Sequence, residues 1–127
     1  MADPIRILYV EDNDDLRDSI AMLLEEDPAH RLAVCASGEE ALALMEQDGE
    51  WDVLVTDVGL PGLSGVDLAR QATQRRPQQW VVLCSGYDMA GELASIGPNV
   101  RALNKPFELQ ALEDLLADIR GALRPQA

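Results

Sequence analysis

Residues 5–12 read IRILYVED, a mostly apolar run that ends in two adjacent carboxylates. The segment Ile5–Val10 is rich in β-branched residues and too short for a buried helix, so it predicts a buried strand. Asp14–Glu26 follows with leucine and isoleucine at helical spacing, and Pro28 ends that pattern. Asp14 or Asp15 is the expected N-cap of this helix. The chain therefore opens with a strand, a pair of acids and a helix.

The same strand-and-helix unit occurs five times in 127 residues, a length that fits one domain. Further strands are predicted at Leu32–Ala36, Asp52–Thr56, Trp80–Cys84 and Val100–Asn104. Further helices are predicted from the Ser37 capping box to about Gln47, then at Val66–Arg76, Asp88–Ile96 and Glu108–Leu123. Apolar strands joined by helices predict an α/β fold, a doubly wound (βα)5 parallel sheet with helices on both faces. Residues 1–127 are expected to form this one domain, with its core at about 5–123.

The charge balance excludes several classes of partner. Ten basic residues stand against 23 acidic ones, a net charge of −13. Nucleic acids and anionic lipid surfaces both require clustered lysine and arginine, so neither is expected as a partner. The apolar runs are far shorter than the ~20 residues that span a bilayer. Because the N-terminus also lacks the order of a signal peptide, a cytoplasmic location is expected. Cys35 and Cys84 lie in apolar runs and predict buried free thiols.

Polar side chains follow four of the predicted strands. Glu11 and Asp12 follow the first strand, Asp57 ends the third, Ser85 follows the fourth and Lys105 follows the fifth. In an open parallel sheet these positions converge on one edge, where ligands bind. Crowded carboxylates need a cation, and hard oxygen ligands suit Mg²⁺. Lys105 is the chain's only lysine, and its ammonium suits phosphate oxygens. The set predicts Mg²⁺-dependent phosphoryl transfer in which a carboxylate is the nucleophile.

Four short segments carry a family resemblance: LYVEDN at 8–13, VTDVGLPGLSG at 55–65, LCSGY at 83–87 and NKPF at 104–107. In this order and at these separations, they make the chain resemble a response-regulator receiver domain. Such domains are the phosphoacceptor modules of two-component signalling. The resemblance extends from Ile5 to about Leu123, and it implies a flavodoxin-like sheet with strand order 2-1-3-4-5.

The resemblance also implies roles for the site residues. Asp57 would accept the phosphoryl group of a phosphohistidine. Asp12 and Asp57 would bind Mg²⁺ directly, Glu11 would act through a water, and the backbone carbonyl of Gly59 would supply a further ligand. Lys105 and the Ser85 hydroxyl would contact the phosphoryl oxygens, and the Lys105–Pro106 peptide bond would be cis.

One position departs from the family pattern. Receivers often carry an aromatic residue three positions before the lysine, where this chain has Ala102. Tyr87, two residues after Ser85, is an aromatic close to the expected site and is a candidate for part of that role. Its simpler interpretation is a surface tyrosine in a loop.

As such a domain, the protein would receive phosphate from a histidine kinase or a histidine phosphotransfer protein. It would signal to a downstream protein by a phosphorylation-dependent contact or by onward relay, as a monomer or weak dimer. It would catalyse only its own phosphorylation and dephosphorylation, so it is not expected to be an enzyme. A receiver separated from a hybrid histidine kinase is an alternative, although the Met start and the short tail favour a complete protein.

Two alternatives come from other classes of protein. A small Mg²⁺-dependent phosphohydrolase with an aspartyl nucleophile usually has a second Asp two residues later, where this chain has Gly59. A flavodoxin-like cofactor carrier would need a loop that binds phosphate after the first strand. Residues 11–15 read EDNDD there, and their charge would repel a phosphate.

Overall fold

The computed structural model describes residues 4–47 and 50–123, which form one parallel sheet flanked by helices. The strands are β1 (Ile5–Val10), β2 (His30–Cys35), β3 (Val53–Asp57), β4 (Trp80–Ser85) and β5 (Val100–Asn104). The helices are α1 (Asp14–Glu25), α2 (Gly38–Gln47), α3 (Gly65–Arg75), α4 (Leu93–Ile96) and α5 (Leu109–Leu123). The sheet order β2-β1-β3-β4-β5 confirms the predicted α/β fold and strand order. Within the described ranges, no helix has the length and apolar character needed to cross a membrane.

Helices cover both faces of the sheet. Because successive side chains of a strand point to opposite faces, both sets of side chains are buried. Along β1, Leu8 and Val10 pack into one core, and Ile5, Ile7 and Tyr9 pack into the other. The first core contains residues of α2 and α3, whereas the second contains residues of α1 and α5. The continuous apolar run of β1 is therefore what a central strand between two helical layers requires.

Two sequence predictions about helix termini are wrong. The fourth helix was expected at Asp88–Ile96, but α4 covers only Leu93–Ile96. The Asp88 carboxylate accepts a hydrogen bond from the Ala90 N–H at 2.9 Å, a local turn that competes with helix formation. The N-cap of α1 is Asn13, whose side chain accepts from the Leu16 N–H at 2.9 Å, rather than Asp14 or Asp15.

Gly65 lets the start of α3 lie against the end of β3. Its N–H donates to the Val58 carbonyl at 3.0 Å. A Cβ atom at this position would overlap the carbonyl oxygen of Asp57 and would lie 2.9 Å from the Val58 Cα. Only a residue without a side chain therefore allows the start of α3 to lie this close to the backbone of Asp57.

We expect Gly65→Ala to lower the free energy of unfolding by about 2 kcal/mol, because the added methyl group meets backbone that cannot move aside. Gly121→Ala is the matched control, because nothing lies within 4 Å of a Cβ there and the residue is also helical. The control should gain about 0.5–1 kcal/mol from alanine's better helix propensity. Urea unfolding measures both changes, and equal effects of the two substitutions would contradict the close approach.

Candidate functional site

The strand register brings the predicted site residues to one edge of the sheet. Val10, which precedes Glu11, pairs with Thr56 of β3, the residue before Asp57. On the other side of β3, Asp57 pairs with Cys84, the residue before Ser85. Ser85 in turn pairs with Asn104, which precedes Lys105. The carboxyl ends of four adjacent strands therefore place their polar residues side by side.

Three carboxylates form a cluster at this edge. Glu11, Asp12 and Asp57 each place one oxygen within 4.8 Å of those of the other two. Glu11 is buried, Asp57 is half-buried and Asp12 is exposed, so the cluster opens to solvent on one side. Two ligands on opposite sides of a bound Mg²⁺ lie about 4.2 Å apart. Carboxylate oxygens at this spacing could hold a divalent metal ion such as Mg²⁺.

Lys105 supplies the positive charge of this cluster. Its Nζ lies 2.5 Å from Oδ1 of Asp57 and 3.8 Å from Oε1 of Glu11. The Lys105 N–H donates to the Ser85 carbonyl at 2.6 Å, and the Lys105–Pro106 peptide bond is cis, as expected. Burial disfavours the charged amine, but the hydrogen bond with Asp57 and the charges of Asp57 and Glu11 outweigh it and raise the pKa of Lys105. The amine therefore stays protonated beside Asp57.

Glu11 is the most deeply buried acid of the cluster, 3% exposed. Burial raises the pKa of its carboxyl above the usual value, and the Asp57 charge and the hydrogen bond with Asp12 raise it further. The Asn13 N–H, which donates to Oε2 at 3.1 Å, and the Lys105 charge lower that pKa but do not reverse the shift. The folded protein therefore holds the Glu11 proton more tightly than an unfolded chain does.

Ser85 lies at the site, but its hydroxyl contacts the following loop. Oγ donates to the Tyr87 carbonyl at 2.8 Å and accepts from the Tyr87 N–H at 3.0 Å. The Tyr87 side chain is about half exposed, whereas Ala102 is partly buried and packs against the core. Gly59 lies in open space, because nothing is within 4 Å of a Cβ placed there.

Two residues that support the site were missed by the sequence analysis. Arg17 donates from Nη1 to the Glu11 carbonyl at 2.9 Å and pairs with Asp14 through Nη2 at 2.7 Å. Glu39 of α2 accepts from the Leu63 N–H at 3.1 Å and so braces the loop that follows Asp57. Arg17 lies on α1, six residues after its partner Glu11, so a pattern that considers only the residues at strand ends does not include it. Glu39 acts on a residue 24 positions away, which no local pattern signals.

Both cysteines are buried free thiols, as predicted. Burial raises the pKa of Cys84, beside Asp57 in the sheet, to about 12, and that of Cys35 to about 11. Neither thiol ionises near neutral pH, so the candidate nucleophile at this edge is a carboxylate.

Comparison with known proteins identifies the family. The model of the response regulator receiver domain matches residues 7–117, and the chain belongs to this family. The chain is 30% identical to the response regulator receiver protein CpdR of Brucella abortus over 120 residues, covering 93% of this chain and 96% of that protein. The crystal structure of the receiver domain from the hybrid histidine kinase CckA superposes with a TM-score of 0.76 at 32% identity. That match covers 91% of this chain and 98% of the CckA chain.

Other relatives are longer proteins that contain such a domain. A protein-glutamate methylesterase/protein-glutamine glutaminase of Rhizobium johnstonii is 33% identical over 91 residues, which cover 72% of this chain but 25% of that protein. The chain spans about half the length of several other curated regulators that it matches. The family match favours the receiver interpretation over a phosphohydrolase or a flavodoxin-like carrier.

We expect Glu11→Gln to stabilise the protein in the presence of a chelator, by an amount that grows with pH. A raised pKa makes the contribution of this carboxyl greatest at low pH, and that contribution is lost as the pH rises through the folded value. The advantage of the variant should therefore be small near about pH 4 and largest near about pH 8. Glutamine keeps an oxygen that can accept the Asn13 N–H.

Urea unfolding of both proteins across this pH range measures the difference. Glu25→Gln, at an exposed position of α1, is the control for losing one surface carboxylate. A difference between Glu11→Gln and wild type that stays constant with pH would contradict the raised pKa of Glu11.

Proposed function

We propose that Asp57 is the phosphoacceptor of this receiver domain and takes its phosphoryl group from a phosphohistidine. The observation that carries the proposal is the contact between the Lys105 amine and Oδ1 of Asp57, 2.5 Å long, inside the carboxylate cluster. Asp57 is 13% exposed in its side chain, so a donor can reach a carboxylate that is already oriented by the protein. Asp12 is more exposed but follows β1 in a loop, without a comparable contact from Lys105 among the described residues.

The transfer moves one phosphoryl group between two side chains. A carboxylate oxygen of Asp57 attacks phosphorus and forms an O–P bond, while the P–N bond to the donor imidazole breaks. The electron pair of that bond returns to the imidazole nitrogen, which takes up a proton. That proton comes from water, and the product is an acyl phosphate on Asp57.

The carboxylate cluster fits Mg²⁺, which when bound would neutralise charge on the transferring phosphoryl oxygens. Asp12 and Asp57 would bind the ion directly, the Gly59 carbonyl would complete its protein ligands, and Glu11 would act through water. The burial of Glu11 and the exposure of Asp12 support this division, because an ion that keeps several waters enters from the open side.

Lys105 and Ser85 would hold the phosphoryl oxygens. The Lys105 amine already lies at Asp57 and can follow a phosphoryl group added there. The Ser85 hydroxyl would have to exchange its hydrogen bond with the Tyr87 carbonyl for one with a phosphoryl oxygen. Phosphorylation would then release the loop after β4, which is how the site would signal without an aromatic residue at position 102.

The family implies the rest of the pathway in general terms. We infer that a histidine kinase or a histidine phosphotransfer protein is the donor and that a downstream protein reads the phosphorylated state. The chain would act as a monomer or weak dimer in the cytoplasm, where such kinases have their ATP, and would transform no substrate other than its own Asp57. The similarity to the CckA receiver keeps the alternative of a domain from a hybrid histidine kinase open.

Incubation with a small phosphodonor such as acetyl phosphate and Mg²⁺ should add one phosphate to the wild-type protein. Intact mass and lability in base measure that phosphate, which should be absent in Asp57→Asn because an amide is a far weaker nucleophile. Asp118→Asn, at an exposed position of α5, is the control and should be phosphorylated like wild type. Equal phosphorylation of Asp57→Asn and wild type would refute the assignment of Asp57.

Lys105→Ala should change signalling more than folding. In millimolar Mg²⁺ its free energy of unfolding should stay within about 1 kcal/mol of wild type, because the lost pair is partly exposed and the metal replaces its charge. Amide chemical shifts of β5 and α5 should change much less on phosphorylation than they do in wild type. Lys105→Arg keeps the charge with different geometry and serves as the control. A wild-type pattern of shifts in Lys105→Ala would contradict the role of the amine.

A further inference from the structure

A small cavity lies at the end of the sheet opposite to Asp57. It has a volume of about 100 Å³ and lies where α2, α3 and the segment before β3 meet. Its lining residues are Met45, Trp51, Ala72, Arg75, Arg76 and Gln79. A water molecule occupies about 30 Å³ in the liquid, so the cavity holds the equivalent of about three waters.

Trp51 lines this cavity and carries an unsatisfied hydrogen-bond donor. The side chain is buried, with 8% of the residue exposed, and its indole N–H has no hydrogen-bond partner among the described residues. Buried polar groups in folded proteins are nearly always paired with protein, water or a bound molecule. An acceptor inside the cavity would satisfy this N–H.

The other polar groups of the lining also favour an acceptor. Arg75 and Arg76 are the charged residues of the lining, and a guanidinium group has donors only. Nη1 of Arg76 already donates to the Trp51 carbonyl at 3.1 Å, so Arg75 is the guanidinium that a ligand would use. The Gln79 amide nitrogen already donates to the carbonyls of Trp51, Asp52 and Trp80, each at 3.1 Å. A carboxylate is the acceptor that best matches a guanidinium, because its two oxygens take two parallel hydrogen bonds.

The remaining lining residues indicate that the ligand also has an apolar part. Met45 is 7% exposed and Ala72 is 1% exposed, and both present apolar surface. A carboxylate with one or two further carbons has both an anionic end for the donors and an apolar end for Met45 and Ala72, and it is small enough for the cavity. The two oxygens would face the N–H donors, and the short alkyl end would cover Met45 and Ala72.

The neighbouring charges allow such an anion to enter. Arg75 pairs with Glu46 at 3.0 Å, but both side chains are about half exposed, and an exposed pair of this kind is worth little. The guanidinium of Arg6 lies 4.5 Å from the centre of the Trp51 ring and donates to the Glu50 carbonyl at 3.2 Å, with Glu50 and Asp52 close to it. It therefore contributes no net positive charge to the site. An incoming carboxylate can share Arg75 with Glu46 at small cost.

We propose that this cavity is a second binding site, selective for a small aliphatic carboxylate such as propionate. It is separate from the phosphoacceptor site, because Trp51 precedes Asp57 by six residues, about 20 Å along an extended strand. The proposal does not depend on phosphorylation of Asp57. Asp57→Asn should therefore bind propionate as the wild type does.

The two tryptophans provide the measurement, since each gives one indole N–H signal in a ¹H–¹⁵N spectrum. Titration with propionate at constant pH and ionic strength should shift the Trp51 signal in a saturable way and leave the Trp80 signal unchanged. Trp51→Phe assigns the signals. Propionamide, which has the same shape without the charge, should bind at least about tenfold more weakly, because a charge-assisted hydrogen bond is lost.

Variants of α3 test the contribution of the guanidinium. Arg75→Gln should raise the dissociation constant for propionate about tenfold. Arg70→Gln is the matched control, because Arg70 is exposed on the same helix and does not line the cavity. Three results would overturn the proposal: a Trp51 signal that propionate does not shift, which would leave only water in the cavity, equal binding of propionamide, or equal effects of the two arginine substitutions.

Discussion

The repulsion among three carboxylates at the end of β1 and β3 is the constraint to which the rest of the structure responds. Glu11, Asp12 and Asp57 lie within 4.8 Å of one another, in a protein whose net charge is already −13. Separating them would relieve this repulsion, but Asp57 ends β3, and Glu11 and Asp12 directly follow β1. Both strands are buried on both faces. The apolar cores of the sheet therefore hold together a set of charges that would separate in a flexible loop. The result is a site that is poised to bind cations.

Lys105 offsets only part of this repulsion, and its position explains why. Its amine lies 2.5 Å from Asp57 but 3.8 Å from Glu11, so its charge is directed mainly to one of the three acids. Glu11 is left buried with a raised pKa, which is the cost of keeping an acid beneath the open side of the carboxylate cluster. A cation that enters from the solvent side meets the exposed Asp12 first. The charges that would give this cluster its affinity for a cation are therefore the same charges that lower the stability of the fold.

The sequence predicts the sheet well because long-range packing and local pattern agree there. Apolar strands, helical spacing and the polar side chains at four of the strand ends lead to the observed order and to the convergence of Asp57 and Lys105. The errors fall where short side chains compete with the backbone. Asp88 forms a turn that shortens α4, and Asn13 takes the cap of α1 in place of the acids that follow it. The bracing of the loop after Asp57 by Glu39 spans 24 residues and leaves no local pattern. The cavity beside Trp51 likewise depends on how three separate segments pack, which propensity does not specify.

The loops at the two ends of the sheet carry different functional groups. At the carboxyl ends of the strands, loops bring acids together, and a ligand there must be a cation or must arrive with one. At the amino ends, Arg75 and Arg76 border a cavity whose buried donor is the indole of Trp51. β3 connects the two ends, with Trp51 just before it and Asp57 as its last residue. Because β3 is buried on both faces, any shift of this strand would have to be accommodated by both helical layers. The stiffness of β3 therefore keeps its two ends at a fixed separation, so the geometry of the carboxylate cluster does not depend on what fills the cavity beside Trp51.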